Sequence, residues 1–423
     1  MSGMQRLILL FALVLTACPA DDTASDTEVS TDSDSDTVAS FARDCPALAV
    51  DLGNQTANGE CVEEEVRESD GSVIRYIRAD CTDEDITASL DKRHVVMRPS
   101  EPTRDVLWVH FGGTGGQPTN TTNIGQAAVS AGYRYISLAY TNDTSLAERC
   151  QCPDGPRPPD CGGLVRHEVI YGDDVTDLFD MQADEAIVPR LTALLDSLHA
   201  SRPGEGWDAY LTGDGGIEWS LLALSGFSQG GGMASILSRN HAVDRVLFFS
   251  KAGDTVMDIE LDPSLAQPCS SGDECASGAC CSVETGDCAN PPEDAVCLIP
   301  VPAPTSLAGA DTDMDGYGDG PVTDRATDVS RLFMVIHREE PAWLAQPDVL
   351  SAFGHPGREA YVDADTTSAP YAEDVRLFST ARAPRNNCSE HQSMGANSCQ
   401  PRDGNGDPAM REAWLHAMTT NLD

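Results

Sequence analysis

The chain is punctuated by short, nearly continuous apolar runs set between polar stretches rich in Asp, Ser, Thr and Gly. Such runs lie at Asp105–Phe111, Tyr133–Ala139, Leu221–Leu224, Arg245–Ser250, Arg331–His337 and Val375–Ser379. Runs this short, bounded by turn residues, predict strands, and their apolar continuity predicts burial on both faces, as in a parallel sheet. Upstream, Val73–Ile77 and His94–Met97 alternate instead, which predicts an antiparallel start within residues 43 to 100. Helical spacing fills the intervals. It marks Ile124 to Ala131, Ala183 to His199 (Ile187, Leu191, Leu194, Leu195, Leu198), a segment from Ser228 toward Arg239, and Pro408 to Asn421. Asp184 and Glu185 at the start of the second helix suit its dipole. Asn142 to Gly163 reads as a loop carrying three cysteines, predicted to form a rim or lid. Strand, helix and strand in this rhythm predict an α/β protein.

Two of the strands end in glycine-rich turns. Leu221–Leu224 runs into Gly226-Phe227-Ser228-Gln229-Gly230, the G-x-S-x-G pattern between a strand and a helix. A turn this sharp leaves no room for a Cβ at either glycine, and it presents Ser228 at its tip with free helix N–H groups behind it. The strand ending at His110-Phe111 runs into Gly112-Gly113-Thr114-Gly115-Gly116. Glycines there let backbone amides approach a developing oxyanion. A phosphate-binding loop would end in Lys-Ser/Thr or follow G-x-G-x-x-G, and neither is present.

With these motifs at strand ends, residues 43–423 resemble the α/β-hydrolase superfamily, a mostly parallel central sheet with helices on both faces. The glycine loop is similar to the H-G-G-G type, departing from it by Phe111 between histidine and glycines. The resemblance implies a serine nucleophile at Ser228. It implies oxyanion donors among Gly112, Gly113, Thr114 and Gln229, and a chain order of serine, acid, histidine. His337, His355, His391 and His416 lie well beyond Ser228. His391, after the last strand and beside Cys388, is the expected base. The acid follows a strand, and Glu340-Pro341 after the run ending at His337 is the closest match. Asp254 is the rival, with Glu339 a third candidate.

Composition changes the picture at the ends and in one insertion. The 423 residues carry 68 acidic and 27 basic side chains, a net charge of -41 with only two lysines, Lys92 and Lys251. Such a surface excludes nucleic acid as a partner. Residues 1–17 have the form of a signal peptide, and Leu15-Thr16-Ala17-Cys18 resembles the bacterial lipoprotein cleavage box, implying a lipid on Cys18. Pro19 follows the cysteine, which favours the outer membrane. Residues 18–42 are an acidic, Ser/Thr-rich tether unable to bury apolar surface. The remaining fourteen of 15 cysteines are an even number, clustered as in disulfide frameworks of oxidising compartments. Zinc is the lesser reading, because histidine ligands and paired C-x-x-C spacing are missing. Cys388 and Cys399 form the most plausible local pair.

Residues 262–327 form an insertion opening with six cysteines between Cys269 and Cys297. It is too polar for a hydrophobic core and resembles small Cys-rich modules. Asp311, Asp313, Asp315 and Asp319 follow around Gly316, a pattern that can converge on a structural Ca²⁺. Val322 stands at the twelfth position, which excludes an EF-hand proper. Asp403-Gly404-Asn405-Gly406-Asp407 is a weaker version. No cofactor is required for catalysis.

These features predict an exported, membrane-anchored serine hydrolase acting on a carboxylic ester of a small-molecule or lipid-like acyl substrate. A peptidase of the same fold, or a non-catalytic surface-binding protein on a hydrolase scaffold, are the alternatives.

Overall fold

Seven strands, most of them rich in Val, Leu, Ile and Phe, run parallel from the middle to one edge of a ten-stranded sheet. The computed structural model describes residues 64–146, 161–175, 181–251, 325–340 and 360–422, together with Trp343 and short backbone pieces between 260 and 301. The chain divides into two units, Met1–Asp44 and Cys45–Asp423, and the described residues belong to the second.

The sheet opens with an antiparallel meander: β1 (Glu64–Arg67), β2 (Val73–Arg78) and β3 (Arg93–Arg98). β4 (Leu107–Phe111) leads through α1 (Thr122–Ser130) to β5 (Arg134–Leu138), which pairs with β3 antiparallel and β4 parallel. Next come α2 (Cys161–Tyr171) and α3 (Ile187–Ser201). β6 (Leu222–Phe227), α4 (Gln229–Asn240) and β7 (Val246–Phe249) follow. After residues 252–324, most of which lie outside the description, β8 (Leu332–His337) pairs directly with β7. β9 (Val362–Asp363), β10 (Leu377–Thr380), α5 (Glu390–Gly395) and α6 (Arg411–Thr419) complete the chain. The order across the sheet is β1-β2-β3-β5-β4-β6-β7-β8-β10-β9.

Alternation along β4 explains the two layers of core. Leu107, Val109 and Phe111 point into one cluster with residues of α2, α3 and α4, while Trp108 points into a second with residues of α1 and α6. A strand buried on both sides has no solvent-facing side, which is why β4, β7 and β8 read as almost continuous apolar runs, broken only by buried His110 in β4 and ended by His337 in β8. This layering and strand order are those of the α/β-hydrolase fold expected from the sequence. Among the described residues no helix is long and apolar enough to cross a membrane.

Several expectations need correction. Asp184 and Glu185 form a 3-10 turn before α3 rather than its first turn. Glu185 is buried and ion-paired to Arg190, and it accepts hydrogen bonds from the amides of Thr87 and Ala88, so specific partners rather than the dipole hold it. The loop expected to reach Gly163 gives way to α2 at Cys161. Buried Arg166 and Glu168 within that helix interrupt the apolar period and hid it. The two-residue edge strand β9 is too short to leave a pattern. Asp403 Oδ1 accepts the amides of Asn405 and Asp407, a self-capped turn. Among the described residues no group of three or more metal-ligating side chains is gathered.

Candidate active site

β6 carries the chain into Ser228, and the turn is as sharp as the glycines require. Ser228 has φ 53° and ψ -118°, a conformation costly for a residue with a side chain, and it caps the N-terminus of α4. A Cβ on Gly226 would fall against the Gly230 carbonyl, and one on Gly230 against the Phe111 carbonyl. Both positions therefore exclude any larger residue. The Ser228 amide donates to Phe249 O at 3.1 Å, which ties the turn to β7. That bond commits the serine's own amide to the sheet. The next amide, that of Gln229, belongs to the first residue of α4, where no preceding turn supplies an acceptor.

His391 reaches Ser228 from α5, with Nε2 2.9 Å from Ser228 Oγ. His391 stands in the first turn of this short helix, after the last strand as its place in the chain implies. The helix has a complete capping box, with Ser389 Oγ accepting the Gln392 amide and Gln392 Oε1 accepting the Ser389 amide. Ser389-x-x-Gln392 was the available signal. The Cys388–Cys399 disulfide closes the segment around this helix, as expected from the sequence. Phe227 packs against the imidazole at 4.8 Å between ring centroids, and Gly395 of α5 lies against the same phenyl ring.

Glu340 completes the line. Its Oε2 is 2.6 Å from His391 Nδ1, and its side chain is fully buried whereas that of His391 is 34% exposed. The other oxygen accepts the His337 amide at 2.9 Å. His337 is itself fixed: Nδ1 accepts the Glu339 amide, so Nε2 carries the proton and donates to Arg382 O at 3.1 Å. Glu339 thus meets His337 through its backbone, and its neighbour Glu340 meets His391. His416 sits in α6 with Nε2 against Val375 O. Asp254, His355, Cys18 and the carboxylates Asp311, Asp313, Asp315 and Asp319 lie outside the described residues.

The loop Gly112 to Gly116 comes up against Ser228 at Gly113. A Cβ on Gly113 would sit 3.1 Å from Ser228 Cβ and 2.9 Å from the Phe227 ring, so only glycine fits this close to the serine. Thr114 Oγ1 donates to Gln229 Oε1 at 2.7 Å, linking the glycine loop to the first residue of α4. Of the residues expected around an oxyanion, Gly113 lies against Ser228, Gln229 follows it in the chain, Thr114 is bonded to Gln229, and Gly112 precedes Gly113 in the same loop. Tyr140, Asn142 and Lys92, which the sequence reading did not single out, hold this loop from behind.

No family model matches the chain, and no curated protein matches it. Solved structures similar to it include a hormone-sensitive lipase from a metagenome library, 13% identical, with 78% of this chain and 83% of that one covered, at a TM-score of 0.33. A carboxyl esterase from the fungus Tuber melanosporum is 12% identical over 88% and 90% of the two chains, at 0.34. An esterase from Mycobacterium marinum is 14% identical over 85% and 81%, at 0.35. Likenesses this distant carry no argument of their own. The strand order and the Ser228 turn define the molecule as a protein of α/β-hydrolase fold.

Proposed function

We propose that the protein is a serine hydrolase that cleaves carboxylic esters through Ser228, His391 and Glu340. The observation that carries the reading is the unbroken hydrogen-bonded line from Ser228 Oγ through both ring nitrogens of His391 to a buried carboxylate, at 2.9 and 2.6 Å. Glu340 keeps the proton on Nδ1, which leaves Nε2 free to act as base. Ser228 Oγ attacks the acyl carbonyl as its proton passes to Nε2. The amides of Gly113 and Gln229, with those of Gly112 and Thr114, receive the oxyanion. His391 then protonates the departing alkoxide, and water, deprotonated by the same nitrogen, hydrolyses the acyl-enzyme. An alkoxide leaves the tetrahedral intermediate more readily than an amine, so an ester is the first substrate class.

The protein is further proposed to be exported and held to a membrane, the outer membrane favoured, by a lipid on Cys18. The Cys388–Cys399 disulfide and the disulfide-bonded state of Cys81 support an oxidising compartment. Asp311, Asp313, Asp315 and Asp319 are proposed to bind a structural Ca²⁺.

A fluorophosphonate probe applied to the purified protein beside a Ser228→Ala variant tests the reading. Labelling that the variant abolishes, together with hydrolysis of p-nitrophenyl esters, is expected. Cleavage of peptide anilides and not esters would make it a peptidase. A folded protein that takes no label would be a non-catalytic scaffold.

A further inference from the structure

Peptide planarity links two carbonyls on one side of the glycine loop to two amides on the other. In a trans peptide, C=O and the following N–H point in opposite directions, so holding one aims the other. The Tyr140 hydroxyl donates to Gly112 O at 2.6 Å, which fixes the peptide whose N–H belongs to Gly113. Asn142 Nδ2 donates to Gly113 O, which fixes the peptide whose N–H belongs to Thr114. The same Nδ2 reaches Gly116 O at 3.2 Å, and Gly115 N donates to Asn142 O at 2.7 Å. Two alternate residues just past β5 thus grip consecutive peptides of the loop from the face away from their amide hydrogens.

Asn142 is held in turn. Its Oδ1 accepts a hydrogen bond from Lys92 Nζ, which also pairs with Asp143 Oδ1 at 2.7 Å. Lys92 can only donate and the two loop carbonyls can only accept, so the Asn142 amide has one workable orientation. The Lys92 side chain is 1% exposed. A buried ammonium is expensive unless its partners are in place. In a chain with two lysines, one is spent behind this loop.

We infer that Asn142, oriented by buried Lys92, and Tyr140 are positioning residues that aim the Gly113 and Thr114 amides at the substrate oxyanion. The inference rests on the hydrolase reading above. None of the three touches the reacting atoms; each acts through the loop.

Asn142→Asp is the sharpest variant. It keeps the shape and a partner for Lys92, but it sets an oxygen against two carbonyl oxygens. Tyr140→Phe removes one hydroxyl and serves if Asn142→Asp does not fold. For either, kcat on a p-nitrophenyl ester is expected to fall roughly tenfold to a hundredfold, less than removal of an oxyanion donor itself. KM should change little. The inhibition constant of a phenylboronic acid, whose adduct with Ser228 mimics the tetrahedral intermediate, should rise in parallel with the fall in kcat. A merely structural role would lower the thermal midpoint without that parallel. A folded variant with unchanged kcat and boronate affinity, or one altered in KM alone, overturns the inference. Failure of the native protein to label at Ser228 would instead remove the hydrolase reading, and this inference with it.

Discussion

His337 and Glu340, three residues apart, hold each other in a closed turn: the His337 amide donates to Glu340 Oε1 and the Glu340 amide donates back to His337 O. Fixing one carboxylate oxygen on the backbone leaves the other, Oε2, to face His391. The acid is thus oriented by the end of its own strand, and the imidazole inherits that orientation.

Glu340→Gln should therefore disable the base without disturbing the fold. The Gln oxygen must stay on the His337 amide, which can only donate. Its NH₂ would then face His391 Nδ1 and turn that nitrogen into an acceptor, moving the proton to Nε2. Nε2 would meet Ser228 already protonated. By analogy with loss of the correct tautomer in other serine triads, kcat is expected to drop roughly 10³- to 10⁴-fold. Glu339→Gln should stay within about threefold, since the Glu339 backbone rather than its carboxylate makes the contact with His337. Equal losses in both variants would contradict the assignment.

Gly395→Ala tests how the histidine is seated. A Cβ there would collide with the Phe227 ring, which packs on His391. The ring or α5 must move. Overpacking of this kind costs about 1–3 kcal/mol, and displacement of the imidazole should lower kcat roughly tenfold to a hundredfold. Thermal unfolding and ester hydrolysis on the same preparation check both effects. A variant with unchanged midpoint and kcat would mean that the Phe227 contact does not seat His391.

What could be read from the chain was what is local. The Ser228 turn was legible because Gly226 and Gly230 answer to backbone atoms within a few residues or on the adjacent strand. β4, β7 and β8 were legible because burial on both faces leaves almost continuous apolar runs. His391 was placed by chain order. The choice of Glu340 over Glu339 was not legible as geometry, since neighbours on one turn differ only in which side they face. Lys92 and Asn142 meet across 50 residues, and no spacing in the sequence encodes that encounter. α2 was missed because Arg166 and Glu168 are buried where the helical period calls for apolar residues.

The Cys388–Cys399 disulfide joins cysteines 11 positions apart and encloses all of α5. Replacing both cysteines by serine frees a short loop, and the expected loss is about 2–3 kcal/mol. Because His391 lies inside the loop, activity should fall well below the melting transition, ahead of global unfolding. The double variant is preferable to a reductant, which would also act on the bonded Cys81. Activity that tracks the unfolded fraction alone would show that the disulfide serves stability only.

Acid stability should be set partly by His94 on β3 and His110 on β4. Both are fully buried, and burial pushes each pKa down to about 3, with Arg190 adding to the effect at His94. His94 Nδ1 accepts the Ala139 amide at 3.0 Å, and His110 Nδ1 lies 2.9 Å from Ser225 Oγ, which also accepts from Trp108 Nε1. The folded state holds both rings neutral, whereas the unfolded chain protonates them near 6.5. The unfolded state thus binds more protons below that pH. Stability is present in full above about 6.5 and is lost as pH falls toward 3. Each ring should contribute a slope approaching 1.4 kcal/mol per pH unit, or about 2 kcal/mol between pH 6.5 and 5. Half-buried His241 and His416, whose pKa values burial also lowers, add with the same sign. Carboxylates titrate mostly below this window, so urea unfolding at pH 7 and pH 5 isolates the histidines. The pH dependence should flatten in a His94→Gln/His110→Gln double variant whatever its absolute stability. An unchanged slope would mean that the two rings are not held neutral in the folded protein.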